Sequence, residues 1–267
     1  MLKLRKFQQA RPDILIVTVE PEIQIRECVT LDELAECVEL QREVFELPEV
    51  ELSPVRHFVV TRNAGGFTLG AYENGKLAGY TLSVPAFLRG ERAFYSHMTG
   101  VRKEYQSLGL GARLKWAQRD RALAEGVRYI KWTFEPVKAR NAYFNLEKLG
   151  AEIREYQRNF YGTDYAVSAE SGRQIGLQSD RLFAEWHLES TKVSALAAGE
   201  KYVEPREPSA EIEIINDWSS LVASDPAAGL DLQLRVRTEF EAAIAQGLTA
   251  RGFRRDVEHP AYLLYKD

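Results

Sequence analysis

Residues 106–111 read QSLGLG, and the glycines at 109 and 111 leave the main chain open to a ligand because no Cβ stands in front of it. The amphipathic stretch ARLKWAQRDRALAEG follows, so these amides fall in the first turn of a helix, where N–H groups lack intrahelical partners. Such donors, together with the positive end of the helix dipole, suit a pyrophosphate. Two familiar phosphate loops do not fit. A Walker loop ends in Gly-Lys-Ser/Thr, whereas Ala112 and Arg113 follow Gly111. A dinucleotide fingerprint read from Gly109 requires a small residue where Leu114 stands.

Two side chains near this segment have types that move protons. His97 sits in the apolar run FYSHMTGV just before the glycines, and an imidazole titrates in the physiological range, near a pKa of about 6.5. Glu135 closes the run VRYIKWTFEP and could act through a water. Each also has a structural reading, as a satisfied core histidine and a solvated strand-end carboxylate.

The elements that would position these groups can be read in order. EIQIREC is a strand, and TLDELAECVELQREVF is a helix that Thr30 or Asp32 can cap. LPEVELSPV ends that helix with two prolines. FTLGAYENGKLAGYTLSVPAF is a hairpin, because Asn74-Gly75 suits a type I′ turn and apolar residues alternate on both arms. AFYSHMTGV supplies the central strand. The helix after Gly111 repeats Leu110, Leu114, Ala117 and Ala124, which puts Arg113, Lys115, Arg119 and Arg121 outside the stripe, on a solvated face or against ligand phosphates. VRYIKWTFEP is a strand. RNAYFNLEKLGAEI is a helix ending at Gly150, with Asn141 and Asn145 on one face. EIREYQRNFYG and RLFAEWHLE are strands separated by a long polar loop. Past residue 191 come a linker (EPREPSAE), a strand (EIEIINDW), a helix (LDLQLRVRTEFEAAIAQG) and a closing strand (AYLLYK).

This order of strand, Q-x-x-G-x-G, helix, strand, Asn-containing helix, K-L-G-A and strand resembles the GNAT superfamily of acyl-coenzyme A dependent N-acyltransferases over residues 22–190. The phrases WTFEPVKARNAYFNLEKLGA and SDRLFAEW are similar to a bacterial subgroup of that superfamily, some members of which are associated with N-succinylation of amino acids. The resemblance implies an α/β fold of the α+β type: a mixed central sheet flanked by helices. Residues 1–21 would be an N-terminal arm, residues 22–190 the acyltransferase core, and residues 191–267 a small α/β extension packed on it. A dimer contact or an active-site lid are secondary readings of that extension, and a homodimer is left open.

The same resemblance implies the chemistry. Acyl-CoA, either acetyl-CoA or succinyl-CoA, would be the co-substrate, with no metal. Gln106, Ser107, Leu108, Gly109, Leu110, Gly111 and Ala112 would hold its pyrophosphate, Val101 would run beside the pantetheine, and Asn141 would contact the pantetheine or the acceptor. Acyl transfer to an amine needs a base, because an amino group near neutral pH is mostly protonated. His97 is the first candidate and Glu135 the second. The tyrosine that many GNAT enzymes place four residues before the glycine of K-L-G is Leu146 here, so Tyr143 or Tyr161 would have to replace it as the acid, unless water protonates the thiolate. Arg181, with its planar fork, is the candidate for a carboxylate on donor or acceptor, and Asp180 could instead hold it in a structural pair.

Composition bounds these readings. The 267 residues, 45% apolar and 28% charged, can bury a full core, and a net charge of −4 gives no global reason to expect nucleic acid as a partner. Cys28 and Cys37 are in no metal or redox spacing, which suits a reduced cytoplasm. No apolar run is long enough for a bilayer, so no membrane association is expected. The expected activity is N-acyl transfer to a small-molecule amine such as an amino acid. A non-catalytic acyl-CoA binding or regulatory module and an aminoacyl-tRNA-dependent transferase are the alternatives.

Overall fold

The computed structural model describes residues 23–45, 49–162 and 177–267. The expected N-terminal arm and most of the long polar loop lie outside the described residues. Strand β1, Ile23–Glu27, leads to helix α1, Leu31–Phe45. Thr30 rather than Asp32 caps it: the Glu33 amide donates to Thr30 Oγ1 at 3.2 Å, and Glu33 Oε2 accepts from the Thr30 amide at 2.9 Å. This reciprocal arrangement satisfies two orphan donors at once. The backbone donors at Thr30 and Val29 and the Arg26 guanidinium hold the Glu33 carboxyl down to about 2.

A short 3₁₀ turn, Glu49–Glu51, precedes helix α2, Val55–Asn63, which the sequence pattern leaves unassigned. Its β-branched residues Val55, Val59, Val60 and Thr61 weaken the helical signature, so tertiary packing decides. Strands β2, Phe67–Glu73, and β3, Lys76–Leu88, form the expected hairpin, with Asn74 and Gly75 at φ 50° and 81° as a type I′ turn requires.

Next come β4, Glu91–Val101, helix α3, Leu110–Ala124, and β5, Tyr129–Phe134. Helix α4, Ala139–Tyr143, widens into a π-helical turn, Phe144–Lys148, where the Leu149 amide reaches back to the Phe144 carbonyl at 3.1 Å. Strands β6, Glu152–Gln157, and β7, Arg181–His187, follow. Beyond them lie α5, Thr191–Ala197; β8, Ala210–Glu213; α6, Trp218–Ser224; α7, Pro226–Ala245; β9, Leu248–Arg254; and β10, Ala261–Lys266. Of these, α5, α6 and β9 have no counterpart in the sequence reading.

Among the described residues one ten-stranded sheet collects the strands in the order β1-β2-β3-β4-β5-β7-β6-β9-β10-β8. Its β4–β5 neighbours are parallel and the others antiparallel. This mixed sheet flanked by helices is the expected GNAT fold. Two apolar clusters cover its faces. Leu110 and Leu114 of α3 pack with Ile130, Trp132 and Phe134 on one side, and Leu34 and Phe58 of α1 and α2 pack with Tyr80 and Leu82 on the other. Among the described residues no helix is long and apolar enough to cross a membrane.

The C-terminal strands join the sheet through one β6–β9 pair, Ile153 with Ala250, and helix α7 buries Val236 and Phe240 in the same apolar cluster as the core. Asp180 adds a polar tie. Its fully buried carboxylate accepts from Arg237 Nε (2.8 Å) and Nη2 (3.0 Å), from the Tyr156 hydroxyl (2.5 Å) and from the Asn159 amide (2.9 Å). The partner of Asp180 is therefore Arg237 on α7, while Arg181 donates to the Asp180 backbone carbonyl at 2.9 Å. Removing one member of a buried pair leaves the other charge uncompensated, which costs roughly 3–5 kcal/mol. Arg237→Met is accordingly expected to lower the stability read by urea unfolding by about 3 kcal/mol. A loss under about 1 kcal/mol, the range of an exposed pair, would contradict this role.

Candidate active site

Strand β4 ends at Val101, and a 3₁₀ turn at Lys103–Tyr105 carries the chain into QSLGLG. Gln106 is a brace rather than a free donor, since its Nε2 donates to the Val101 carbonyl at 3.0 Å. Ser107 and Gly109 have φ of 65° and 79°, and Gly109 is the N-cap residue of α3 with no side-chain cap. The first helical bond runs from the Arg113 amide to the Gly109 carbonyl at 3.1 Å. None of the amides of residues 107–112 makes a hydrogen bond to a described residue. A Cβ built at Gly109 would meet nothing within 4 Å, and one at Gly111 only Val101 Cγ2 at 4.0 Å. Glycine at 109 thus serves its left-handed backbone, and both positions face open space.

Behind this turn the sheet splits. Ala93, Phe94 and Tyr95 pair with Tyr129, Ile130 and Lys131, and pairing stops there although both strands continue. On its other edge β4 is bulged, with Leu82 opposite Met98 and Ser83 opposite Ser96, so His97 is the extra residue. Its Nε2 lies 3.2 Å from Ser53 Oγ, and its ring meets that of His57 edge-on at 5.6 Å between centroids. Gln41, fully buried on α1, fixes Ser53 by donating to its carbonyl at 3.1 Å and accepting from its amide at 2.9 Å. Burial first, and the neighbouring His57 second, lower the His97 pKa below its ordinary value.

Two residues before His97 on the same strand, about 7 Å away along it, a second polar cluster forms. The Tyr95 hydroxyl lies 3.2 Å from Thr133 Oγ1 and 3.3 Å from the Tyr161 hydroxyl, and the last two are 3.1 Å apart. Burial raises the Tyr95 pKa. Arg181 sets its guanidinium 5.1 Å from the Tyr161 ring centroid. Glu135, one residue past the end of β5, pairs with Lys138 at 2.9 Å. The other candidates lie around α4. Tyr143 is half-buried between the cations of Lys148 and Arg255, at 5.5 and 5.2 Å from its ring. Asn141 is half-buried with its amide bonded to the Lys138 carbonyl at 3.0 Å, while Asn145 is buried and accepts from Trp132 Nε1 at 3.2 Å. Leu146 is fully buried in the core.

Lys115 departs from the sequence reading, which puts it on a solvated or phosphate-facing surface. It is 3% exposed, donates to Ser96 Oγ (3.1 Å) and Gln118 Oε1 (2.8 Å), and sits 3.8 Å from the Trp132 ring centroid. Gln118 in turn donates to Ser83 at 2.7 Å and to Thr81 at 3.2 Å. Hydrophobic periodicity cannot see a lysine that an indole face and small hydroxyls accommodate. Desolvation pushes its pKa well below the usual lysine range. Ser53, His57, Tyr95 and Thr133 are the polar residues sequence reasoning missed. Only the Ser53–His57 spacing of four, compatible with a helix start, hinted at a pair.

A parallel pair of strands splayed beside a bare helix N-terminus defines a class of protein, the acyl-CoA-dependent N-acyltransferases. Residues 31–151, just under half of the chain and running from α1 to the edge of β6, match the family model described as the Acetyltransferase (GNAT) family. Among solved structures, an acetyltransferase-like protein from Acinetobacter baylyi ADP1 superposes with a TM-score of 0.50 at 18% identity, covering 64% of this chain and 96% of that one. A GNAT family acetyltransferase from Elizabethkingia anophelis with acetyl-CoA bound reaches 0.45 at 16% identity, covering 62% and 98%. The ribosomal-protein-S18-alanine N-acetyltransferase from Escherichia coli reaches 0.48 at 16%, covering 64% and 96%. At such identities the likeness is one of fold. No curated protein matches the chain.

The lowered pKa of His97 has a direct consequence. Its neutral form is the one the fold favours, so on acidification the unfolded chain binds a proton first, near pH 6.5, and stability falls from there until the lower folded pKa is reached. The His97 ring resonance followed by proton NMR should titrate with a midpoint below 6.5, and His97→Gln should flatten the stability loss below that pH. A midpoint at or above 6.5 would contradict the burial described.

Proposed function

We propose that the chain is an N-acyltransferase that moves an acetyl or succinyl group from acyl-CoA to the amine of a small molecule such as an amino acid. The observation that carries this reading is the row of amides at residues 107–112, without acceptors among the described residues, at the start of α3 beside the β4–β5 split. In this reading residues 22–190 are the catalytic core, residues 191–267 an extension joined to it, and the protein works in the cytoplasm.

Each group then has a task. The amides of residues 107–112 and the α3 dipole take the pyrophosphate, held in place by the Gln106 brace. The pantetheine runs along β4 past Val101, with Asn141 flanking it, where β5 no longer competes for main-chain hydrogen bonds. His97 accepts the ammonium proton of the acceptor, and its lowered pKa keeps it neutral and able to do so near pH 7. Ser53 orients its Nε2. Attack by the neutral amine on the thioester carbon forms the C–N bond, the C–S bond breaks to expel the CoA thiolate, and the surplus nitrogen proton is lost to the group that has protonated that thiolate. The hydroxyls of Tyr95, Thr133 and Tyr161 cluster on the same strand pair, which favours Tyr161 over Tyr143 as the proton donor to that thiolate. Glu135 is the second base candidate, and Arg181 remains the candidate for a carboxylate.

Purified protein mixed with acetyl-CoA or succinyl-CoA and a panel of D- and L-amino acids should release free thiol. Coenzyme binding by calorimetry without thiol release from any amine would favour an acyl-CoA binding module instead. Gly111→Asp offers a test of the site itself. The added side chain has open space and a helix N-terminus that tolerates acid, so the melting midpoint should hold, while its charge at the pyrophosphate position should weaken CoA binding by about tenfold or more. Unchanged CoA affinity in this variant would place the pyrophosphate elsewhere.

A further inference from the structure

Lys115 is a buried lysine to which the reading above gives no task, yet its side chain ends at the apex of the β4–β5 split. The last paired residues of the two strands are Tyr95 and Lys131, so Ser96 and Trp132 are the first residues past the fork on either side. The Lys115 side-chain nitrogen meets both. It donates to Ser96 Oγ at 3.1 Å and lies 3.8 Å from the Trp132 ring centroid. Gln118, one turn further along α3, accepts from that nitrogen at 2.8 Å and donates to Ser96 Oγ at 3.1 Å and to Ser83 Oγ of β3 at 2.7 Å. All four side chains at this apex, Lys115, Ser96, Trp132 and Gln118, are buried.

In the acyl-transfer reading the diphosphate sits at the start of α3 and the pantetheine enters the fork at its open end, by Val101. The acyl group, at the opposite end of the coenzyme, therefore goes deepest, toward Tyr95 and Lys131. An acyl chain too long for that space has three directions to take. The apex is shut by the pairing of the strands. On the α2 side stand His97, Ser53 and His57, where the acceptor amine must approach. On the α3 side Lys115 sits between Ser96 and Trp132, with Leu114 in the apolar cluster behind them. Close-packed interiors do not take up extra methylenes without strain. Burial also disfavours a charge on the Lys115 nitrogen, whose pKa is pushed well below the usual lysine range, so it is no ready counter-ion for an acyl carboxylate.

We propose that Lys115 is a specificity-determining residue that floors the acyl end of the fork and limits the transferred group to a short one, acetyl rather than succinyl. The proposal rests on the acyl-transfer reading above. No bond to Lys115 is made or broken. Its side chain acts by occupying the space that a longer acyl chain would need.

The test compares thiol release from acetyl-CoA, butyryl-CoA and succinyl-CoA, with the amine that the panel above selects, for the wild-type protein and for Lys115→Ala. The wild type should favour acetyl-CoA over both longer donors in kcat/KM by about a hundredfold, because one methylene in a tight pocket is worth about tenfold or more. Lys115→Ala should cut the acetyl-to-butyryl ratio by about tenfold. A purely structural role would slow all donors alike and leave that ratio untouched. If the alanine variant does not fold, Lys115→Leu, a smaller truncation that suits a helix interior, should cut the ratio by about threefold or more. Calorimetry with acetyl-CoA and butyryl-CoA needs no turnover. Butyryl-CoA binding about tenfold or more weaker to the wild type, with the gap narrowed in the variant, supports the floor even if no amine is acylated, in which case only the acyl-transfer reading fails. Equal affinities in the wild type, a longer donor used as well as acetyl-CoA, or a ratio unchanged in a folded variant overturns the proposal.

Discussion

Beyond Tyr95, β4 and β5 no longer pair, and the rest of the candidate site depends on that split. A parallel pair that continued would consume the main-chain donors and acceptors of both strands and leave no slot between them. The bulge at His97 reinforces the split by locally disrupting the ladder on the other edge of β4 and turning an imidazole toward α2. Strand β4 then runs into a turn whose left-handed Ser107 and Gly109 expose the first amides of α3. Slot and bare helix start follow from one continuous stretch of chain, residues 95–112, which is why, in the function proposed, the acyl group and the diphosphate of one acyl-CoA can be served together.

Holding such a split open demands support from behind, and the polar layer around Lys115 supplies it. The Lys115 side-chain nitrogen bridges α3 to Ser96 on β4 and lies on the Trp132 indole of β5, while Gln118 ties the same helix to β3. Trp132 is held in turn by Asn145 in the π-helical turn. Both strands flanking the gap are thus fixed to the same helix, and burying polar groups is tolerable because they find partners. At the far end the Asp180–Arg237 pair ties α7 to the residue before β7.

The sequence made some of this legible and hid the rest for identifiable reasons. Main-chain geometry was written in residue types: Gly109 for a positive φ, Asn74-Gly75 for a type I′ turn, and Thr30, one of two cap candidates, for a helix start. Long periodic segments such as α1 and α3 were equally clear. Helix α2 was not, because its β-branched residues blunt the pattern, nor were α5, α6 and β9 in the C-terminal third. Partnerships between distant side chains left no trace. Nothing in the order of residues announces that Ser53 meets His97, that Tyr95, Thr133 and Tyr161 converge, or that Asp180 selects Arg237 over its neighbour Arg181. The charge on Lys115 misled outright, since burial of a lysine depends on what the tertiary structure places around it.

Hydrogen exchange of the amides of residues 107–112, with and without saturating coenzyme A, tests the central claim most directly. Having no acceptors among the described residues, these amides should exchange fast in the free protein and slow by about tenfold or more when the diphosphate occupies them. Bound coenzyme that leaves their exchange unchanged and protects a different segment would contradict the account.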